Sequence, residues 1–365
     1  MRIRYLSSYH VVLFLLMLSC TREKTGQLAL NHIQVIGSHN SYKQAIEPTL
    51  MPILLAEDSG VTGLDYEHVP IREQLDLGLR GLEIDVVYDP TGGRYQKPLG
   101  LKLLTDKGVR PAPYDTAKEL SRGGLKVLHV PDIDFRTHCF LFRNCLGEVK
   151  QWSQSNPGHT PVIITINPKD SGGNKPGFTK VLPFSTAVLD SLDQEILSVF
   201  TLNELIAPEL VQGNFPSLRE AVTKQGWPSL ESCKGKILFV LDSRPEVTEM
   251  YVQTSLKGKP MFPNVDVQHP CAAFFILNDP KKQQQEIQER VRQGFLVRTR
   301  ADADTREARA EDYSKLQAAI ASGAHLISTD YYLKKLSPTG NFQVTLPEGK
   351  YQTCNPLVAP EPCSL

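Results

Sequence analysis

Two short runs hold the residues most able to do chemistry. Gly37-Ser38-His39-Asn40-Ser41-Tyr42 follows the apolar segment Ile33 to Ile36, so an imidazole and a carboxamide hang from a strand end. Gly81-Leu82-Glu83-Ile84-Asp85-Val86-Val87 sets two carboxylates into a second apolar strand. Side chains alternate along a strand, so Glu83 and Asp85 share one face. A proton-transfer group beside neutral and anionic oxygens suits a hard cation and acid–base work on one substrate. Taken alone, each group has a plainer reading. His39 also reads as a satisfied histidine near a turn, and Glu83 and Asp85 as ion-pair partners of Arg72, Arg80 or Lys126.

Eight strand-like segments are available to position such groups: 33–36, 79–88, 125–130, 162–166, 237–241, 273–277, 295–300 and 326–329. Most are short, apolar and β-branched, as in strands buried on both faces. Amphipathic stretches at 71–77, 146–153, 185–200, 218–224, 281–293 and 305–322 predict helices between several of them. Strands alternating with helices imply parallel pairing. Eight of them predict an α/β fold, a TIM-like (β/α)8 barrel in one catalytic domain spanning 31–365. The Gly- and Pro-rich connection from Asp89 to Gly124 predicts an irregular loop. Nearly every segment runs into polar groups: His39 and Asn40, Glu83 and Asp85, His129, Asn167 and Lys169, Asp242, Asn278, Arg298 and Arg300, Asp330. Barrel active sites gather at the C-terminal strand ends, which is the distribution seen here.

The stretches GSHNSY at 37–42, LRGLEIDVVYDP at 79–90, LHVPDIDF at 128–135, PVIITINPKD at 161–170, FLVRTRADADTREAR at 295–309 and LISTDYY at 326–332 together resemble the calcium-dependent phosphoinositide-specific phospholipase C family, in its secreted bacterial and fungal form. The resemblance keeps its order nearly end to end. It implies a TIM-like barrel that cleaves phosphodiesters, with Ca2+ as cofactor and a phospholipid at a membrane surface as substrate. It implies His39 and His129 as catalytic histidines. Asn40, Glu83 and Asp85 become metal ligands, and Lys169, Arg298 and Tyr331 line a headgroup pocket. Asn167 stands where the family usually carries a glutamate. Calcium accepts carboxamide oxygens, so Asn167 remains a metal candidate, in a site weakened by the lost charge.

The implied reaction is attack of the inositol 2-hydroxyl on phosphorus, giving diacylglycerol and an inositol cyclic phosphate. Two other readings compete: a glycerophosphodiester phosphodiesterase-like barrel, and a lipid-anchored headgroup-binding protein on a weakened enzyme scaffold. Asp132 and Asp134 are expected to shape the turn after the third strand. Asp302 and Asp304 are expected to cap a helix. Arg298 and Arg300 are expected to divide between the barrel lumen and a helix.

The N-terminus reads as an export signal. Arg2 and Arg4 precede an apolar run, Val11 to Leu18, too short for a mature membrane span. Met17-Leu18-Ser19-Cys20 resembles a bacterial lipoprotein signal, which predicts a signal peptide over 1–20, lipidation at Cys20 and a tether over 21–30; a plain secretory signal is the competing reading. The other six cysteines form an even set, as expected in an oxidising compartment. The candidate disulfides are Cys139 with Cys145, Cys354 with Cys363, and Cys233 with Cys271. These features predict an exported chain, anchored to a bacterial cell envelope or else secreted. Lys+Arg and Asp+Glu both total 40, which disfavours a broad nucleic-acid surface.

Overall fold

The computed structural model describes residues 27–365. The expected signal segment, Cys20 and most of the tether lie outside them. Leu28 already packs against the main core, and Leu30 N–H donates to the Pro228 carbonyl, so the folded domain takes in the end of that tether.

Ten strands form one sheet: β1 (Ile33–Ser38), β2 (Gly81–Asp89), β3 (Gly124–Lys126), β4 (Val162–Pro168), β5 (Ile237–Leu241), β6 (Met261–Pro263), β7 (Phe274–Ile276), β8 (Leu296–Arg300), β9 (Leu326–Thr329) and β10 (Gln352–Cys354). Eight of them run parallel in the order β6-β5-β4-β2-β1-β9-β8-β7 and curl into a nearly closed α/β barrel. The seam lies between β6 and β7, which share no ladder. One side chain spans it, where Asn264 Oδ1 accepts from Ile276 N–H at 3.4 Å. Strand β10 pairs antiparallel with the start of β1.

The expected barrel is present, but one expected stave is not part of it. Segment 125–130 contributes only β3, which folds back antiparallel on the end of β2. Strand β2 pairs directly with β4, from Gly81↔Ile163 to Val86↔Pro168. A parallel partner needs a crossover, usually a helix laid on the sheet. The connection after Asp89 instead turns through Gly92 and Gly93, both at positive φ. Its helix Leu99–Asp106 bonds to the 131–135 turn, where Gly100 N–H donates to the Asp132 carbonyl. The missing stave is β6, whose three residues end in proline and carry no periodic signal. The long helix expected over 305–322 is split into Arg306–Ala310 and Ser314–Ala321, with Glu311 at positive φ between them.

Burial explains the strand composition. Leu82, Ile84, Ile164, Phe239 and Val240 are almost fully buried in one core. Helices Phe142–Ser155 and Thr186–Val199 cover it with Leu146, Val149, Trp152, Leu189 and Leu192. Each such side chain contributes roughly 1.5–3 kcal/mol on leaving water. Strands β1 and β2 meet at the single pair Gly37↔Gly81. The approach is so close that a Cβ on Gly37 would lie 2.6 Å from Gly81 Cα. This contact brings the His39 run beside Glu83.

Two disulfides form as expected, Cys139–Cys145 and Cys354–Cys363. The third expected pair does not form, and Cys233 and Cys271 are free thiols. Cys233 closes the helix before β5, whereas Cys271 sits just before β7, with the β6 stave between them.

Candidate active site

The turn after β1 is locked onto β2. Ser41 N–H donates to the Glu83 carbonyl at 2.9 Å, and Glu83 N–H donates to Ser41 Oγ at 2.8 Å. Gln74 Nε2 holds the Ser41 carbonyl, and its Oε1 accepts from Ser38 Oγ. Asn40 takes the left-handed conformation (φ 49°), which asparagine tolerates better than most residues. The residues just after it pair with the hairpin that follows β3: His138 N–H donates to Tyr42 O, and Lys43 bridges to Thr137. This tie brings His129 toward His39, near enough that charge on His129 lowers the basicity of His39.

Each histidine has a buried carboxylate behind it. His39 Nδ1 lies 2.9 Å from Asp330 Oδ1, and His129 Nδ1 lies 2.7 Å from Asp134 Oδ2. Asp330 also takes Arg300 at 3.2 Å, and Asp134 takes the fully buried Lys43 at 3.2 Å. Such a carboxylate fixes the tautomer and aims the second nitrogen outward. Burial, then the adjacent Arg300 guanidinium, push the His39 pKa well below 6.5, so the ring is neutral near pH 7. Tyr66 stacks on His39 with ring centroids 5.9 Å apart and accepts from Asn40 Nδ2 at 2.7 Å. Burial raises the Asp242 pKa to about 6, with Arg298 opposing and Glu83 and Asp85 adding to the rise.

The whole domain matches one family model. Residues 28–356 fit the model described as Phosphoinositide phospholipase C, Ca2+-dependent. The chain belongs to that family. Two structures of the calcium-dependent phosphoinositol-specific phospholipase C from a Gram-negative Pseudomonas share its fold. The one complexed with myoinositol has TM-score 0.55 and 16% identity over 90% of this chain and 96% of that one. An apo form has TM-score 0.55 and 14% identity over 90% and 95%. The Streptomyces antibioticus enzyme has TM-score 0.49 and 17% identity over 84% and 95%. No curated protein matches the sequence significantly.

The chain is thus a calcium-dependent phosphoinositide phospholipase C by family. Asn40 Oδ1 and both Asp85 carboxylate oxygens are buried and accept no well-formed hydrogen bond. Buried oxygens of this kind, with at most an ammonium against them, suit a hard ion. Asn167 is opposite Asp85 in the β2–β4 register. Among the described residues no three His, Cys, Asp or Glu side chains form a metal cluster by themselves. The donors fit calcium, but two resident cations already touch the carboxylates. Arg298 makes a close ion pair with Glu83, and Lys169 Nζ is 2.9 Å from Asp85 Oδ2.

Arg298, Arg300, Tyr331, Asp132, Asp134 and Asp302 come out differently from expectation. Arg298 does not line an open pocket: it is buried, held by Glu83, Asn278 at 2.8 Å and Ser328 at 3.2 Å. Arg300 shares its face, as residues two apart on a strand must, so the two arginines do not divide between lumen and helix. Tyr331 points away from the site and packs edge-on against Phe342, because its neighbour Asp330 takes the inward direction. Asp134 serves His129, and the Asp132 carboxylate, expected to shape its own turn, instead ties that turn to two distant segments by accepting from Leu99 and Thr179 N–H. Asp302 caps no helix; it accepts from Thr329 Oγ1 and Asp330 N–H. Asp330, Asp134 and Arg300 are the residues whose part in the site, holding His39 and His129, the sequence did not suggest. The DIDF run at 132–135 and the STD run at 328–330 were the available signals.

Proposed function

We propose that the enzyme cleaves phosphatidylinositol-type lipids to diacylglycerol and an inositol cyclic phosphate, with His39 and His129 as the acid–base pair. The supporting observation is two imidazoles, each backed by its own buried carboxylate, converging where Asn40, Glu83, Asp85 and Asn167 supply oxygen donors. Asn40, Glu83, Asp85 and Asn167 would hold the calcium, which when bound would supply a lowered pKa for the attacking hydroxyl and a counter-charge for the phosphate.

His39, neutral and held through Nδ1 by Asp330, accepts the proton of the inositol 2-hydroxyl at Nε2. The Glu83 carboxylate, already engaged by Arg298, is the weaker candidate for base. His129, held by Asp134, delivers its Nε2 proton to the leaving diacylglycerol oxygen. Attack within one molecule supplies about 7–11 kcal/mol toward the barrier, and acid–base help adds roughly 10²–10⁴ in rate. Two such relays exceed what a mere headgroup binder requires. Nothing in the site specifically favours glycerophosphodiesters.

We further read the chain as one catalytic domain behind an exported N-terminus, lipid-anchored through Cys20 to the cell envelope. Two disulfides support an oxidising compartment, and no helix among the described residues is long and apolar enough to cross a membrane. Loss of palmitate labelling and release from membranes in C20A is the expected check on the anchor.

The deciding experiment is phosphorus NMR of the products from phosphatidylinositol vesicles, with calcium and then with chelator. An inositol cyclic phosphate signal that disappears on chelation is expected. A cyclic phosphate signal that survives chelation, or no phosphorus product at all, overturns the proposal, as does release of glycerol phosphate when deacylated lipid is supplied in a parallel sample.

A further inference from the structure

Lys169 is the residue just past β4, and its backbone N–H donates to the Val86 carbonyl at 2.8 Å. That bond fixes the root of the side chain at the end of β2, among the oxygen donors. The ammonium is 2.9 Å from Asp85 Oδ2, and the carboxylates of Glu83 and Asp242 also act on it. A monovalent cation on a flexible stem thus has the surroundings that a divalent ion would seek. Its counterpart Arg298 is anchored at three points and 2% exposed, so it cannot leave. Lys169 is 29% exposed along its side chain and can swing outward, as a four-carbon stem allows.

We propose that Lys169 is a tethered competitor for calcium, displaced from Asp85 when the ion binds and turned outward to meet the anionic headgroup. The inference rests on the reading of Glu83 and Asp85 as ligands. It adds a second cause to the weak site that Asn167 implies: one carboxylate is missing, and another is already neutralised. It also couples the two ligands. Calcium frees the ammonium for the headgroup, and a headgroup that holds the ammonium outward frees Asp85 for calcium; linkage makes the effect reciprocal.

The test is isothermal titration of calcium into wild type, K169M and K169R, each with and without myo-inositol 1-phosphate. Thermal unfolding in chelator checks that the variants are folded, and K169Q replaces K169M if the latter is not. Removing the charge should tighten calcium by at least about tenfold, the effect of roughly 1.4 kcal/mol. K169R, which keeps the charge, should remain as weak as wild type. Inositol phosphate should tighten calcium by a larger factor in wild type than in K169M, where only direct contact between phosphate and ion remains. Equal affinity in wild type and K169M, or equal tightening in K169M and K169R, overturns the inference while leaving the ligands in place. If calcium binds none of the three proteins, the ligand assignment falls and the inference with it.

Discussion

His39 and His325 show how the same side chain is put to opposite uses. His39 is buried but backed by a carboxylate at Nδ1, with Nε2 turned toward Glu83 at 3.8 Å and the Arg300 guanidinium at 3.3 Å. Replacing Asp330 with Asn leaves the ring in place and removes the charge that fixes its tautomer. D330N is expected to lose about 10²–10⁴ in kcat with little change in KM, read from steady-state cleavage of vesicles. His325 is structural. Its Nδ1 accepts from Val297 N–H at 3.1 Å, and its Nε2 donates to the Asn31 carbonyl at 3.0 Å. A second proton has nowhere to go, and burial lowers its pKa from 6.5 to about 3. The unfolded chain therefore takes up this proton first as pH falls below 6.5, and stability drains away between there and the folded value. Roughly 2–3 kcal/mol should be lost from this group between pH 6.5 and 4.5, and H325Q should flatten that slope in urea unfolding. The catalytic histidines were visible in the sequence because their motifs are contiguous. Their carboxylates were less so. Asp132 and Asp134 are two apart in one turn, and only the folded backbone decides which faces His129.

Short elements carry the geometry. Gly37 and Gly81 let β1 and β2 approach more closely than any side chain permits. Gly37→Ala should cost about 1–3 kcal/mol of stability in urea unfolding and depress activity further, because His39 is displaced from Glu83. The hairpin between β3 and the helix Phe142–Ser155 holds both His129 and Asp134, and the Cys139–Cys145 disulfide closes its far end. Removing it in the C139A/C145A double variant should cost about 2 kcal/mol and lower kcat more than it raises KM. Elements with a strong period, such as the helices near 146–153 and 185–200, were readable before folding. Strand β6 was not, since Met-Phe-Pro has no alternation to detect. Nor was the hairpin fate of 125–130, because an apolar run reads alike in a parallel stave and in a folded-back ribbon.

Across the whole molecule, the eight-stave architecture follows from alternating apolar strands and helices. The count of eight came out right although one member was exchanged, since barrel closure tolerates a short stave wherever its neighbours bring it. What no local pattern conveyed was where the ring fails to close. Strands β6 and β7 each pair on one side only, over three register positions, while β2 and β4 share a long ladder deep in the core. Deuterium should therefore enter the molecule unevenly. Amides of Met261, Phe262 and Phe274–Ile276 are expected to exchange in the earliest time points of a mass-spectrometric labelling series, and those of Leu82–Val86 and Ile163–Ile166 among the last. Uniform protection around the ring would mean that the seam behaves as though it were zipped. If the difference appears, the barrel opens from one side, and the strands bearing Glu83, Asp85 and Asn167 form the half that stays shut.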